Sequence, residues 1–206
     1  MLWTDEHAAN LKEYLETHTL PSGLGNKESA CSIAAINLAA NGKLTDDIPD
    51  CMSKVLGRAI IRLQDAIPDD MRNSDRYRAM LMTAPGTGSD KEQERLAVLM
   101  NWMWGTVLPQ LQTVADVHGF GDEWRRMCDE RTTNAAAAAS AAASDDAAAR
   151  AAAHAAYACY AVHAADHAAY AAAAGCTELT DAACYSEDDF WQTINPIGVL
   201  ERMIEV

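Results

Sequence analysis

Apolar residues recur every three or four positions along most of this chain, and no segment alternates with the period of two that a half-buried strand requires. The clearest stripe is in "DKEQERLAVLMNWMWGTVLPQLQTVADVHG", where Leu96, Leu99, Met100, Met103, Val107, Leu111 and Val114 share one helical face. Pro109 lies inside that stripe and predicts a kink, because its ring removes a backbone donor. A second stripe joins Met52, Val55, Leu56, Ile60, Leu63 and Ile67, with Lys54, Arg58, Arg62 and Asp65 on the wet side. Pro49 is expected in the first turn of that helix, and Pro68 ends it.

The capping chemistry fits the same picture. Thr4 followed by Asp5 and Glu6 reads as a helix start, with the helix ending near His18 before the loop "LPSGLGN". "KESACSIAAINLAANG" reads as a helix closed by Gly42, and a shorter helix is expected over 74–82. The following "APGTGSD" is a loop that lacks the spacing of a phosphate-binding loop. "GFGDEWRRMCDERT" adds a turn and a short helix, and Trp102, Trp104 and Trp124 in this region read as core aromatics. The fold class expected is all-α, a multi-helix bundle.

From Thr132 to Ala174 the composition changes to alanine with scattered His, Tyr and Asp. Alanine is the best helix former, so a long helix is expected, with a break at "SDD" and an end at Gly175. The domain reading is a globular helical domain over 1–131, the alanine-rich helix over 132–175, and a C-terminal segment over 176–206. That last segment packs back through Phe190, Trp191, Ile194, Ile197, Leu200 and Met203. On a heptad register Ala153, Tyr160, His167 and Ala174 share one position, and Ala156, His163 and Tyr170 the position three residues on. Small residues beside this seam permit close approach of a neighbouring helix. The seam then packs on the chain's own body, on a second copy in a homodimer, or on another protein.

Tyr157, Tyr160, His163, His167 and Tyr170, with the acids Asp188 and Asp189, are therefore the candidate interface residues. A sharper alternative is a divalent metal held by His163 and His167, whose four-residue spacing lets both rings converge on one helical face. His154 reads as too far along the helix to share that ion. The metalloprotease motif is absent, since Ala164 stands where its glutamate belongs. Cys31 has no identifiable base, and acid pairs such as Asp46–Asp47 and Asp69–Asp70 read as caps and solvated turns. No cofactor and no enzymatic activity are expected.

Charge narrows the partners. The chain carries 30 Asp and Glu against 16 Lys and Arg, a formal net charge of −14. Its basic concentrations, Arg72, Arg76 and Arg78 and then Arg125 with Arg126, are interleaved with acids, so no direct nucleic-acid contact is expected. An acidic surface suits a basic surface on a partner protein. The six cysteines form no CxxC pair and read as reduced thiols of a cytoplasmic protein. The opening "MLWTDEHAANLKEYLETH" has neither the basic nor the apolar region of a signal peptide, and no run is apolar enough to span a membrane.

At "GNKESACSIAAINLAANGKLTDDIPDCMSKVLGRAIIRLQDAIPDDMRNS" and again at "ERLAVLMNWMWGTVLPQLQTVADVHGFGDEWRRMCDERT" the sequence resembles a family of uncharacterised proteins of bacteria and their phages. Those proteins also carry an alanine-rich tail and close on a motif like "FWQTINPIGVLERMI". The resemblance implies a phage or prophage setting in the host cytoplasm, and brings no catalytic residues with it. Small acidic phage proteins of this kind act stoichiometrically on a host protein or complex, with inhibitors of bacterial defence such as anti-CRISPR proteins the leading class. An antitoxin-like immunity protein, and a metal-binding protein or enzyme using His163 and His167, are the alternatives.

Overall fold

The computed structural model describes residues 2–143, 152–154, 164–181 and 186–206. Among these residues the regular structure is helical, with a single isolated bridge between Gly25 and Ala30. The helices are α1 (Asp5–Thr17), α2 (Ser32–Asn41), α3 (Lys54–Ala66), α4 (Asp69–Arg72), α5 (Asp75–Thr83) and α6 (Glu92–Trp102). A π-helical turn (Met103–Val107) and a 3-10 turn (Leu108–Leu111) lead into α7 (Gln112–Val117). Then come α8 (Gly121–Glu130), α9 (Thr133–Ala142), α10 (Ala164–Asp181), α11 (Glu187–Ile194) and α12 (Pro196–Glu205). The protein is all-α. It divides into two compact units, one formed by 1–95 with 197–206 and the other by 96–196.

Local chemistry sets the helix ends of the first unit. Thr4 caps α1 through a reciprocal box in which His7 takes the place usually held by Glu or Gln: the Thr4 hydroxyl accepts from His7 N–H and the His7 ring accepts from Thr4 N–H, both at 3.3 Å. Gly42, in the left-handed region at φ 71°, ends α2 as expected. The start of α3 differs from the expected one. Pro49 lies before the helix, because the Ser53 hydroxyl accepts from Leu56 N–H at 3.1 Å and fixes the first turn there. Glu92 completes that end by accepting from the N–H groups of Lys54 at 2.9 Å and Val55 at 2.8 Å.

The core of this unit contains Leu11, Leu15, Ile33, Ile36, Leu56, Ile60 and Leu63. α1 packs on α2 and α5, and α2 on α3. A buried polar chain crosses it. Gln64 accepts from Ser32 N–H at 2.5 Å and donates to the Pro21 carbonyl at 3.1 Å, while the Ser32 and Tyr77 hydroxyls bond at 3.0 Å. Buried polar groups are tolerated because they are paired in this way. Arg95 is 3% exposed and donates to the carbonyls of Thr87, Gly88 and Met203, tying α12 to the α5–α6 loop.

In the second unit the expected kink at Pro109 takes the form of the π turn followed by the 3-10 turn. A proline there cannot donate to the helical ladder, and the bonds around it change register. The tryptophans are core residues, with Trp102 donating to the Ile194 carbonyl at 2.5 Å and Trp124 to the Leu108 carbonyl at 2.9 Å. Trp104 is 4% exposed.

The alanine tract departs from the expected long helix in two ways. The helix α10 does not stop at Gly175 but runs through it to Asp181. A Cβ at Gly175 would stand 3.3 Å from Leu111 Cδ1 and 3.5 Å from Phe190 Cζ, so this glycine serves close packing rather than helix termination. In addition, Nδ1 of His154 lies 3.2 Å from Nδ1 of His167. Residues thirteen apart along one helix stand about 20 Å from each other, so spacing along a helix does not give this contact. Propensity favours extending an alanine helix, but burial of its faces decides where it stops. Ala135, Ala136, Ala139, Ala168, Ala171 and Ala172 are all buried, which is the close approach that small side chains allow.

Candidate functional site

The described part of the alanine tract brings three rings together. His154 and His167 have ring centroids 5.4 Å apart, and Tyr170 stands 5.2 Å from His154 and 6.3 Å from His167. Tyr170 and His167 are three apart on α10 and so share a face. Both histidines are half-buried, whereas Tyr170 is 39% exposed. His167 and Tyr170 thus meet as the heptad register places them, but their partner is His154, which lies too far away on a single helix. Nothing in the sequence marks this contact, because the alanines around both histidines carry no turn signal. Tyr157, Tyr160 and His163 lie outside the described residues.

Asp188 and Asp189 stand in the exposed first turn of α11. The Ser186 hydroxyl accepts from Asp189 N–H at 3.2 Å and donates to the Asp189 carboxylate at 2.7 Å. With Glu187 these acids face the positive end of the helix dipole. Asp69 and Asp70 likewise stand in the first turn of α4, with Asp70 accepting from Met71 N–H, whereas Asp47 accepts from the Thr45 hydroxyl in the loop before α3.

The arginines of both basic concentrations are engaged within the chain. Arg72 donates to the carbonyls of Gln64 at 2.6 Å and Ile67 at 2.8 Å and pairs with Asp69. Arg78 donates to the His18 carbonyl and to Asn73, and Arg76 forms a two-pronged pair with Glu201. Arg125 pairs with Asp116 and Asp122, and Arg126 with Glu130. Both basic concentrations of the sequence are therefore internal ties. A groove of about 530 Å³ between α1 and α5 is lined by Lys12, Glu16, Asn73, Asp75, Arg78 and Met82. Its guanidinium is already directed at protein acceptors, and Lys12 pairs with Glu16 at 3.8 Å.

Cys31, Cys128 and Cys176 stand where burial disfavours the thiolate. Cys31 caps α2, its sulfur accepting from Ala34 N–H at 3.4 Å, and burial pushes its thiol up. Burial, with Asp129 adding to it, pushes the Cys128 thiol up to about 11. Burial also raises the Cys176 thiol. These are the environments of inert thiols, since the thiolate is the reactive form. Among the described residues no group of three or more His, Cys, Asp or Glu side chains is arranged to hold a metal ion, and no helix is long and apolar enough to cross a membrane. No family model matches the chain, and no curated protein or solved structure is significantly similar to it.

Proposed function

We propose that this chain is a non-enzymatic protein-binding module that engages a basic surface on a host protein or complex. The observation that carries this reading is the asymmetry of its charges. The formal net charge is −14, and the arginines of both basic concentrations are turned to carbonyls and carboxylates of the chain itself. Carboxylates at exposed helix starts, among them Asp5, Glu6, Asp188 and Asp189, face outward. Such a surface attracts a cationic partner over a Debye length of about 8 Å at physiological salt, and it opposes the approach of nucleic acid. The resemblance to phage and prophage proteins directs the proposal to a stoichiometric modulator of host defence, of the anti-CRISPR kind, whose target normally holds nucleic acid.

The test is affinity purification from the native host, followed by binding measurements with the recovered complex. The expected partner is a nuclease or surveillance complex whose nucleic-acid binding is displaced by this protein, with affinity falling as salt rises. Recovery of a toxin neutralised by the protein would replace this reading with that of an immunity protein. Binding indifferent to salt would end the charge-based version.

A further inference from the structure

We propose that His154 and His167 form a binding site for one divalent transition-metal ion of the zinc type, held between their Nδ1 atoms. The ring centroids are 5.4 Å apart while the two Nδ1 atoms are 3.2 Å apart, so both nitrogens lie on the facing edges of their rings. Two lone pairs directed at each other repel unless one electropositive atom lies between them. A proton on one ring supplies that atom in the metal-free protein, as a nitrogen-to-nitrogen hydrogen bond. A metal ion supplies it as well, since two imidazole nitrogens bound at 2.0–2.1 Å with tetrahedral angles stand roughly 3.3 Å from each other. The observed separation matches that distance, and a tilt of each ring turns both lone pairs onto an ion beside the line between them.

The surroundings suit a cation. Each histidine adjoins a fully buried alanine, Ala152 being two residues before His154 and Ala168 one after His167. The rings are consequently held on packed backbone rather than on a loose loop. Tyr170 lies against both rings and restricts their rotation. The chain's net charge of −14 raises the local concentration of cations. Because the site joins residues thirteen apart in sequence, occupancy also ties the segment around His154 to α10. This inference is independent of the partner-binding proposal, as it concerns the chain alone.

The experiment is a titration of the purified full chain, first stripped with chelator, with Zn²⁺ by calorimetry and with Co²⁺ by visible spectroscopy. One ion per chain is expected, with a Co²⁺ spectrum free of thiolate charge-transfer bands. His154→Gln and His167→Gln should each lower affinity at least tenfold, while His7→Gln and His118→Gln leave it unchanged. Nitrogen-15 spectra of the wild-type imidazoles give a readout that requires no variant: Zn²⁺ should move the Nδ1 signals of both His154 and His167. Absence of binding, wild-type affinity in both variants, or perturbation of other histidines alone overturns the proposal.

Discussion

Glu92 caps a helix that begins 38 residues before it, its carboxylate accepting the backbone N–H of Lys54 through one oxygen and that of Val55 through the other. The first turn of α3 is thereby satisfied from both sides, by Ser53 locally and by Glu92 from across the loop. A negative group placed there also meets the helix dipole. Glu92→Ala is expected to destabilise the protein by about 1–2 kcal/mol. The exposed neighbour Glu94, replaced in the same manner, should change stability by no more than about 0.5 kcal/mol. Urea unfolding of the two variants side by side measures the difference.

The pair Arg76–Glu201 predicts a pH signature. The guanidinium bonds both carboxylate oxygens, at 2.9 and 2.6 Å, and holds the Glu201 carboxyl below its usual range. A lowered folded value means that the contribution is present above the unfolded value and is lost as pH falls through the folded one. Both side chains are substantially exposed, so solvent limits the effect to about 0.5–1 kcal/mol. Glu201→Gln should therefore be less stable than wild type at pH 7, and the two unfolding midpoints should converge under acid conditions. A gap that persists in acid would show that the loss is one of packing.

Gly175 tests the close approach of α10. In an open helix interior, Gly→Ala gains about 1 kcal/mol. Here the new methyl would press on Leu111 at 3.3 Å, so Gly175→Ala should gain little or nothing, and Gly175→Leu should cost about 1–3 kcal/mol. Thermal unfolding followed by circular dichroism discriminates these outcomes.

Thiol reactivity should follow burial. With the Cys128 thiol raised to about 11, only on the order of one molecule in a thousand carries its thiolate at pH 8. Cys31 is both buried and committed to capping α2. Iodoacetamide at pH 8, mapped by mass spectrometry, should leave Cys31 and Cys128 unmodified in the native protein and label both in urea. Rapid native labelling of either would mean that its helix opens readily.

Most helices are legible in the sequence for local reasons. Thr4, Ser74 and Gly42 act within one turn of where they stand, and the three-four spacing from Leu99 to Val114 leaves a single face to bury. The start of α3 was less legible because half of its cap, Glu92, comes from the distant start of α6. The alanine tract was the least legible. Between His154 and His167 its residues carry uniform helix propensity and no stop or turn signal. Only tertiary packing decided that α10 continues past Gly175, because Leu111 and Phe190 fill the space a side chain would need. Packing likewise brought His154 to His167, a contact between residues thirteen apart that spacing along one helix does not give.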